Sequence, residues 1–250
     1  MTNNSFSIRL REARQMMELS MDKLVERTHG AITKQSISRY EKGIMRPKRD
    51  ALQAIAKALN ISEAYFEGTN LKIDVPMLRT TSNGKVSEDE LQALEAKLSF
   101  WAEQYLAKEK EAGFPTQFKN PIKGTRVSTL EDAIQASSLL REKWHCGDGS
   151  IASILRLLER KGIMILAATL PDYVFGMSTW ADKKHPLMIL DFNPEKSSVE
   201  KLRFTAAHEL AHLLLLFPED SPLKQEKRCD LFASFFLLPK LTLIEELGSR

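Results

Sequence analysis

His208, Glu209 and His212 stand in a His-Glu-x-x-His pattern inside the apolar run LRFTAAHELAHLLLLF. On a helix an i, i+4 pair lies on one face about one turn apart, so both imidazoles can reach one metal ion. Glu209, between them in sequence, can take a proton from water and pass it to a leaving amine, the general acid/base role in peptide hydrolysis. Phe204, Ala207, Leu210, Ala211 and Leu214 cover the rest of the helix, and burying two histidines and a glutamate among them is costly without a ligand. A hydrolytic zinc takes three protein ligands and keeps one position open, so a third donor is expected. Glu226 and Asp230 repeat the i, i+4 spacing downstream; one carboxylate could ligate and the other orient a histidine. The alternative for this pair is a solvated acidic face among Lys224, Lys227 and Arg228. His185, Tyr173 and Arg203 flank the motif as candidate donors to an oxyanion, although His185, before Pro186, reads better as a surface turn residue.

A second set of chemically equipped residues lies near the N-terminus. The segment VERTHGAITKQSISRYEKG has the form of two short helices joined by a tight turn, an arrangement that places its second helix in the major groove of DNA. Thr33 can cap that helix, and Thr33, Lys34, Gln35, Ser36, Ser38 and Arg39 are the candidate DNA-contacting residues. They carry hydrogen-bonding groups for base edges and phosphates; glutamine suits adenine and arginine suits guanine. Charge agrees with this reading without proving it: residues 1–68 hold twelve basic and eight acidic side chains, an excess of +4 in a chain of net charge +3. The alternative is a helical module that binds protein.

These sets need elements to hold them. At 250 residues, 43% hydrophobic and 28% charged, the chain fits two soluble domains with packed cores. The charged N-terminal stretch and the lack of any long apolar run exclude a signal peptide and a membrane span, so a cytoplasmic location is expected. The two cysteines, Cys146 and Cys229, exclude a disulfide framework and a Cys-rich zinc finger, and read as small buried residues.

From Phe6 to Gly68 apolar residues recur at helical spacing in short runs, predicting an all-α bundle of five helices over 6–68, with Ser62 capping the last turn. Residues 69–128 read as a linker containing a long amphipathic helix over 87–112, whose stripe of Leu91, Leu94, Leu98, Trp101 and Tyr105 should pack on the second domain or on another copy of the chain. Residues 129–250 form the second domain. Helices over EDAIQASSLLREKW and SIASILRLLERKG precede strands at IMILAAT, FGMSTWA and PLMILDF, and two apolar helices follow. The fold class is α+β.

The stretches LREKWHCGDGSIASILRLLERKGIMI, FGMSTW, LRFTAAHELAHLLL and EKRCDLFASFFLLP resemble the ImmA/IrrE family of metallo-endopeptidases across roughly residues 130–239. The resemblance implies a zincin-like domain. It makes Glu226 the third metal ligand beside His208 and His212, with Asp230 at the family's Asn/Asp position as partner to a ligand. It also implies Zn2+, or sometimes Mn2+, as cofactor, and a partner repressor as the protein substrate. Fused members of that family continue well past the Leu-Leu-x-Pro motif, whereas this sequence ends at Arg250. RLREAR, ITKQSISRYEKGIMRP and LQAIAKALNIS resemble the Xre/Cro-type helix-turn-helix family over residues 6–68, with Glu41, Gly43 and Pro47 on its signature. That resemblance gives Glu41 a structural role and implies a double-stranded DNA operator and a homodimer reading two half-sites.

The expectation is therefore a DNA-binding transcriptional regulator carrying a zinc-dependent endopeptidase domain, with Glu209 as its catalytic acid/base. The alternative is a non-proteolytic regulator, antitoxin-like or phage-repressor-like, whose metal domain senses a ligand or a metal. An intact Glu209 favours the enzyme, because sensing needs only the ligands.

Overall fold

Phe6, Leu10 and Ala13 recur at helical spacing, and the computed structural model of the chain shields all three from solvent in its first helix. The structure describes residues 3–68, 71, 73, 87–113, 117–170, 173–239, 242 and 244. It divides into two units, Met1–Lys108 and Glu109–Arg250.

In the first unit α1 (Asn3–Met16), α2 (Met21–Arg27), α3 (Lys34–Glu41) and α4 (Arg49–Leu59) are followed by a 3-10 turn, Glu63–Glu67. Side-chain caps set two of the starts: the Ser20 hydroxyl accepts from the Lys23 N–H, and the Thr33 hydroxyl from the Ser36 N–H. These bonds satisfy donors that a helix N-terminus leaves unpaired. Gly43 ends α3 with a positive φ of 70°, the left-handed geometry in which glycine carries no Cβ penalty. Leu24, Ile37, Tyr40, Ile55, Leu59 and Phe66 close the core. The last predicted helix is instead 3-10, with the Tyr65 N–H bonded to the Ser62 carbonyl, and Ser62 makes no side-chain cap.

Helix α5 (Glu88–Glu111) also meets this unit. The sequence predicts a stripe of leucines turned to the second domain or to another copy; Leu91 and Leu98 of that stripe are buried, and polar side chains of α5 also meet α1 and the 3-10 turn. The Glu103 carboxylate takes the Arg9 guanidinium at 2.9 and 2.5 Å, and Arg9 is 2% exposed. Arg9 also donates to the Tyr65 carbonyl and lies over the Tyr65 ring. Phe100 meets the Tyr65 ring edge-on, and Gln92 and Lys97 reach Gln15 and Glu18. A buried ion pair is part of this contact, and an apolar-stripe argument does not register one. The predicted linker between Gly68 and Ser87 lies mostly outside the described residues.

The second unit contains α6 (Leu130–Trp144), α7 (Ile154–Arg160), β1 (Met164–Ala167), β2 (Gly176–Ala181), β3 (His185–Leu190), α8 (Val199–Leu214) and α9 (Pro222–Leu237). A full capping box between Thr129 and Asp132 starts α6. Its core takes in Ile122 and Val127, from the stretch the sequence reads as linker, because Val127 N–H bonds to the Leu216 carbonyl. The described strands run in the order β1-β3-β2, with β3 parallel to β1 and antiparallel to β2. Leu187 to Leu190 of the central strand are fully buried, as expected of a strand covered on both faces. Helix α8 packs on β2 and β3 and against α9, which in turn packs on α6. Arg141 fastens the outer layer: buried, it donates to the carbonyls of Phe236, Gly147 and Gly149.

Candidate functional site

The metal-type donors converge where α8 faces α9. His208 and His212, one turn apart on α8, turn their Nε2 atoms to the same point, 3.2 Å from each other. Glu226 comes to that point from α9, with Oε2 at 3.0 Å from His208 Nε2 and Oε1 at 3.5 Å from His212 Nε2. Three ligands on a tetrahedral zinc with bonds of 2.0–2.1 Å stand about 3.3 Å apart, so the donor set has the spacing a zinc ion requires. Asp230 takes the other side of His208, with Oδ1 at 2.9 Å from Nδ1. A carboxylate there holds the imidazole with its proton on Nδ1 and its lone pair on Nε2. Helical spacing makes this possible: Glu226 and Asp230, four apart on α9, straddle one ring.

Glu209 occupies a different environment from Glu226. It is 4% exposed, and burial pushes its carboxyl above the ordinary glutamate range against the opposing pull of His212, Ser178 and His208. Hydrogen bonds from His208 and His212 hold Glu226 well below that range. Burial works against a charged His208, but Glu226, Glu209 and Asp230 outweigh it and raise its pKa. Two carboxylates driven in opposite directions suit two roles, one a permanent anion and ligand, the other able to exchange a proton.

Ser178 is a site residue that sequence reasoning missed. Its hydroxyl donates to Glu209 Oε2 at 2.8 Å and reaches the Glu209 carbonyl at 3.1 Å, which pins the carboxyl to β2. The approach depends on Gly176: a Cβ there would lie 2.6 Å from Thr205 Cγ2. Positions 176 and 178 face the same side of the strand, as 205 and 209 lie one turn apart on α8, so the close contact at one pair brings the other into hydrogen-bond range. The signal was a Gly-x-Ser in a strand, visible only once its neighbour is known.

The remaining candidates are dispersed. Arg203 donates to the Ile151 carbonyl, Tyr173 is exposed, and His185 opens β3 opposite Ala181. The structure assigns none of them to the donor cluster. Cys146 is half-buried. Cys229 is buried, and its Sγ lies 3.8 Å from His212 Nδ1.

On the first unit, Lys34, Gln35 and Arg39 are exposed on α3, with Ser36 and Ser38 half-buried. The Thr33 and Ser36 hydroxyls bond each other at 2.9 Å as part of the cap, and Lys34 meets Asp22 at 2.7 Å. Glu41 accepts Arg14 through both oxygens at 2.6 and 2.9 Å, tying α3 to α1.

Residues 10–66 match the helix-turn-helix family model. The N-terminal unit therefore carries a helix-turn-helix domain, the fold of DNA-binding transcriptional regulators. No curated protein and no solved structure matches the chain. Among the described residues, no helix is long and apolar enough to cross a membrane.

Proposed function

We propose that the chain is a transcriptional regulator whose helix-turn-helix domain binds a double-stranded operator and whose second unit is a zincin-like, zinc-dependent endopeptidase acting on a partner repressor. The observation that carries the peptidase half is the convergence of His208, His212 and Glu226, with donor separations of 3.0 to 3.5 Å, beside a buried carboxyl on Glu209. The likeness of HELAH and EKRCDLFASFFLLP to the ImmA/IrrE pattern supports the same reading. Zinc held by His208, His212 and Glu226 would supply Lewis-acid polarisation of the peptide carbonyl. The chain supplies the rest. Glu209 accepts the proton of the attacking water and returns it to the leaving amine, Ser178 holds the Glu209 carboxyl in place, and Asp230 fixes His208.

The operator half rests on α3, where Gln35 and Arg39 offer donors and acceptors to base edges and Lys34 a charge to phosphate. The test of the peptidase half is incubation of the purified, metal-analysed chain with repressors encoded near its gene. Glu209→Gln is expected to retain zinc and slow cleavage by at least about 100-fold, the scale of lost acid/base catalysis. Cleavage at the original rate by that variant removes Glu209 from the mechanism.

One observation favours a second reading, a metal sensor that does not cut. The His208, His212 and Glu226 donor set is assembled without Glu209, so a metal can be held and sensed with no use of a general base. On that reading Glu209→Gln leaves metal-dependent operator binding unchanged, and no partner is cleaved by the unsubstituted chain.

A further inference from the structure

The two imidazoles of the centre must both present Nε2, and so must both carry their proton on Nδ1. His208 has the Asp230 carboxylate for that purpose. His212 has no carboxylate on its Nδ1 side among the described residues; the side chains there are the Gln225 amide, with its Nε2 at 3.3 Å, and the Cys229 thiol, with Sγ at 3.8 Å. We infer that Gln225 is the positioning residue of His212, accepting its Nδ1–H through Oε1 and thereby aiming Nε2 at the metal. This rests on the metal-centre reading above and adds a residue to which neither the motif nor the family match assigns a role.

Helix α9 lays out the arrangement. Glu226 and Asp230 straddle His208, and one residue earlier in register Gln225 and Cys229 flank the Nδ1 side of His212. Of that second pair the amide is the competent acceptor. A thiol is a weak acceptor. The amide has two orientations related by a half-turn. With the nitrogen toward the ring, the orientation of this structure, it donates to a bare Nδ1, which moves the imidazole proton to Nε2 and removes the lone pair needed by the ion, so seating the ion calls for a half-turn of the amide. With Oε1 toward the ring it selects the metal-binding tautomer. The outer partner of a ligating histidine is worth 10–100-fold in metal affinity.

The test measures zinc affinity of the full-length chain by competition with a chromophoric chelator, alongside long-range 1H–15N spectra of the histidine rings. Gln225→Ala is expected to weaken zinc binding by about 10–100-fold and to lose the defined Nδ1–H tautomer of His212. Gln225→Glu, which can only accept, is expected to restore both, and Cys229→Ala to leave both unchanged. Rescue by glutamate separates orientation of the ring from a general loss of structure. Wild-type affinity in Gln225→Ala overturns the inference, as does a loss in Cys229→Ala equal to that in Gln225→Ala. Either result leaves the metal centre standing. A wild-type chain whose zinc binding is indifferent to His208→Ala defeats the metal-centre reading itself, and this inference with it.

Discussion

A carboxyl's role in this chain is set by what surrounds it more than by its residue type. Glu226, Glu209 and Asp191 show three outcomes. Glu226 is held ionised by two imidazoles and Glu209 is pushed toward its neutral form by burial. Asp191, at the end of β3, is almost completely buried, yet Lys196 and the N–H groups of Asn193 and Leu170 overcome the effect of burial and hold its pKa below the ordinary value. A depressed carboxylate adds stability that is complete above the unfolded-state value, about 3.9, and is lost as pH falls through the folded-state value. Asp191→Asn is therefore expected to lower unfolding free energy by about 1–3 kcal/mol at neutral pH, with the gap to wild type narrowing below about pH 4. Denaturant titrations of the two chains across that range measure it, and a gap that stays constant down to pH 2 excludes the role. The pairs His208/His212 and Glu226/Asp230 could be picked out in sequence because each is spaced four residues apart on one helix, whereas the choice of Glu226 as ligand and Asp230 as its neighbour's partner rested on the family resemblance. Ser178 was not legible, since its partner is 31 residues distant and on a different element. Nor was Gln225, which carries no charge and sits in a run of lysines and glutamates that reads as a solvated face.

Between elements, the contact that matters most to the site is that of β2 with α8. Gly176 lets the strand backbone approach Thr205, and Ser178 meets Glu209 as a result. Gly176→Ala forces the strand outward by the width of a methyl group. The expected result is a loss of about 1–3 kcal/mol in stability, the usual penalty of overpacking, together with a fall in turnover larger than that of Ser178→Ala. Melting curves and cleavage rates of both variants report it; a Gly176→Ala chain with wild-type stability shows that the strand can yield. Of the helix starts, those at Ser20 and Thr33 were marked in the sequence by caps and the others mainly by apolar spacing; the caps Thr129 and Ser198 are seen in the structure. The packing of α5 was not marked in this way. Its contact with α1 includes Arg9 and Glu103, a pair 94 residues apart, and hydrophobic periodicity looks past a charged side chain that is buried by its partner. Removing either member leaves the other charge stranded, which costs about 3–5 kcal/mol.

At the level of the whole molecule, the helix-turn-helix domain brings DNA recognition and the second unit brings a centre able to hold a metal. If α3 reads the operator, Arg39→Ala weakens binding to a duplex selected by the full-length chain by about 1–3 kcal/mol and relaxes preference at one base position, while binding to random DNA changes little. Equal affinity and equal preference in the variant place Arg39 outside the interface. Periodicity in the sequence suggested helices in the first part and a helix-strand-helix order in the second, but not where the second unit starts, because Ile122 and Val127 join its core through contacts far away in sequence, among them the Arg126–Leu216 bridge and the Asn120 bond to the Leu214 carbonyl. The donor set has one more property. Two of its members belong to α8 and the third to α9, so an ion seated among them crosses the loop between the helices and acts as a removable rivet in the core of the unit. Free zinc at a hundred times its dissociation constant adds about 2.7 kcal/mol to the folded state, roughly a hundredfold fewer unfolded molecules. If zinc binds there as proposed, its supply would set the lifetime of the folded chain against housekeeping proteases, and starvation for zinc would lower its abundance.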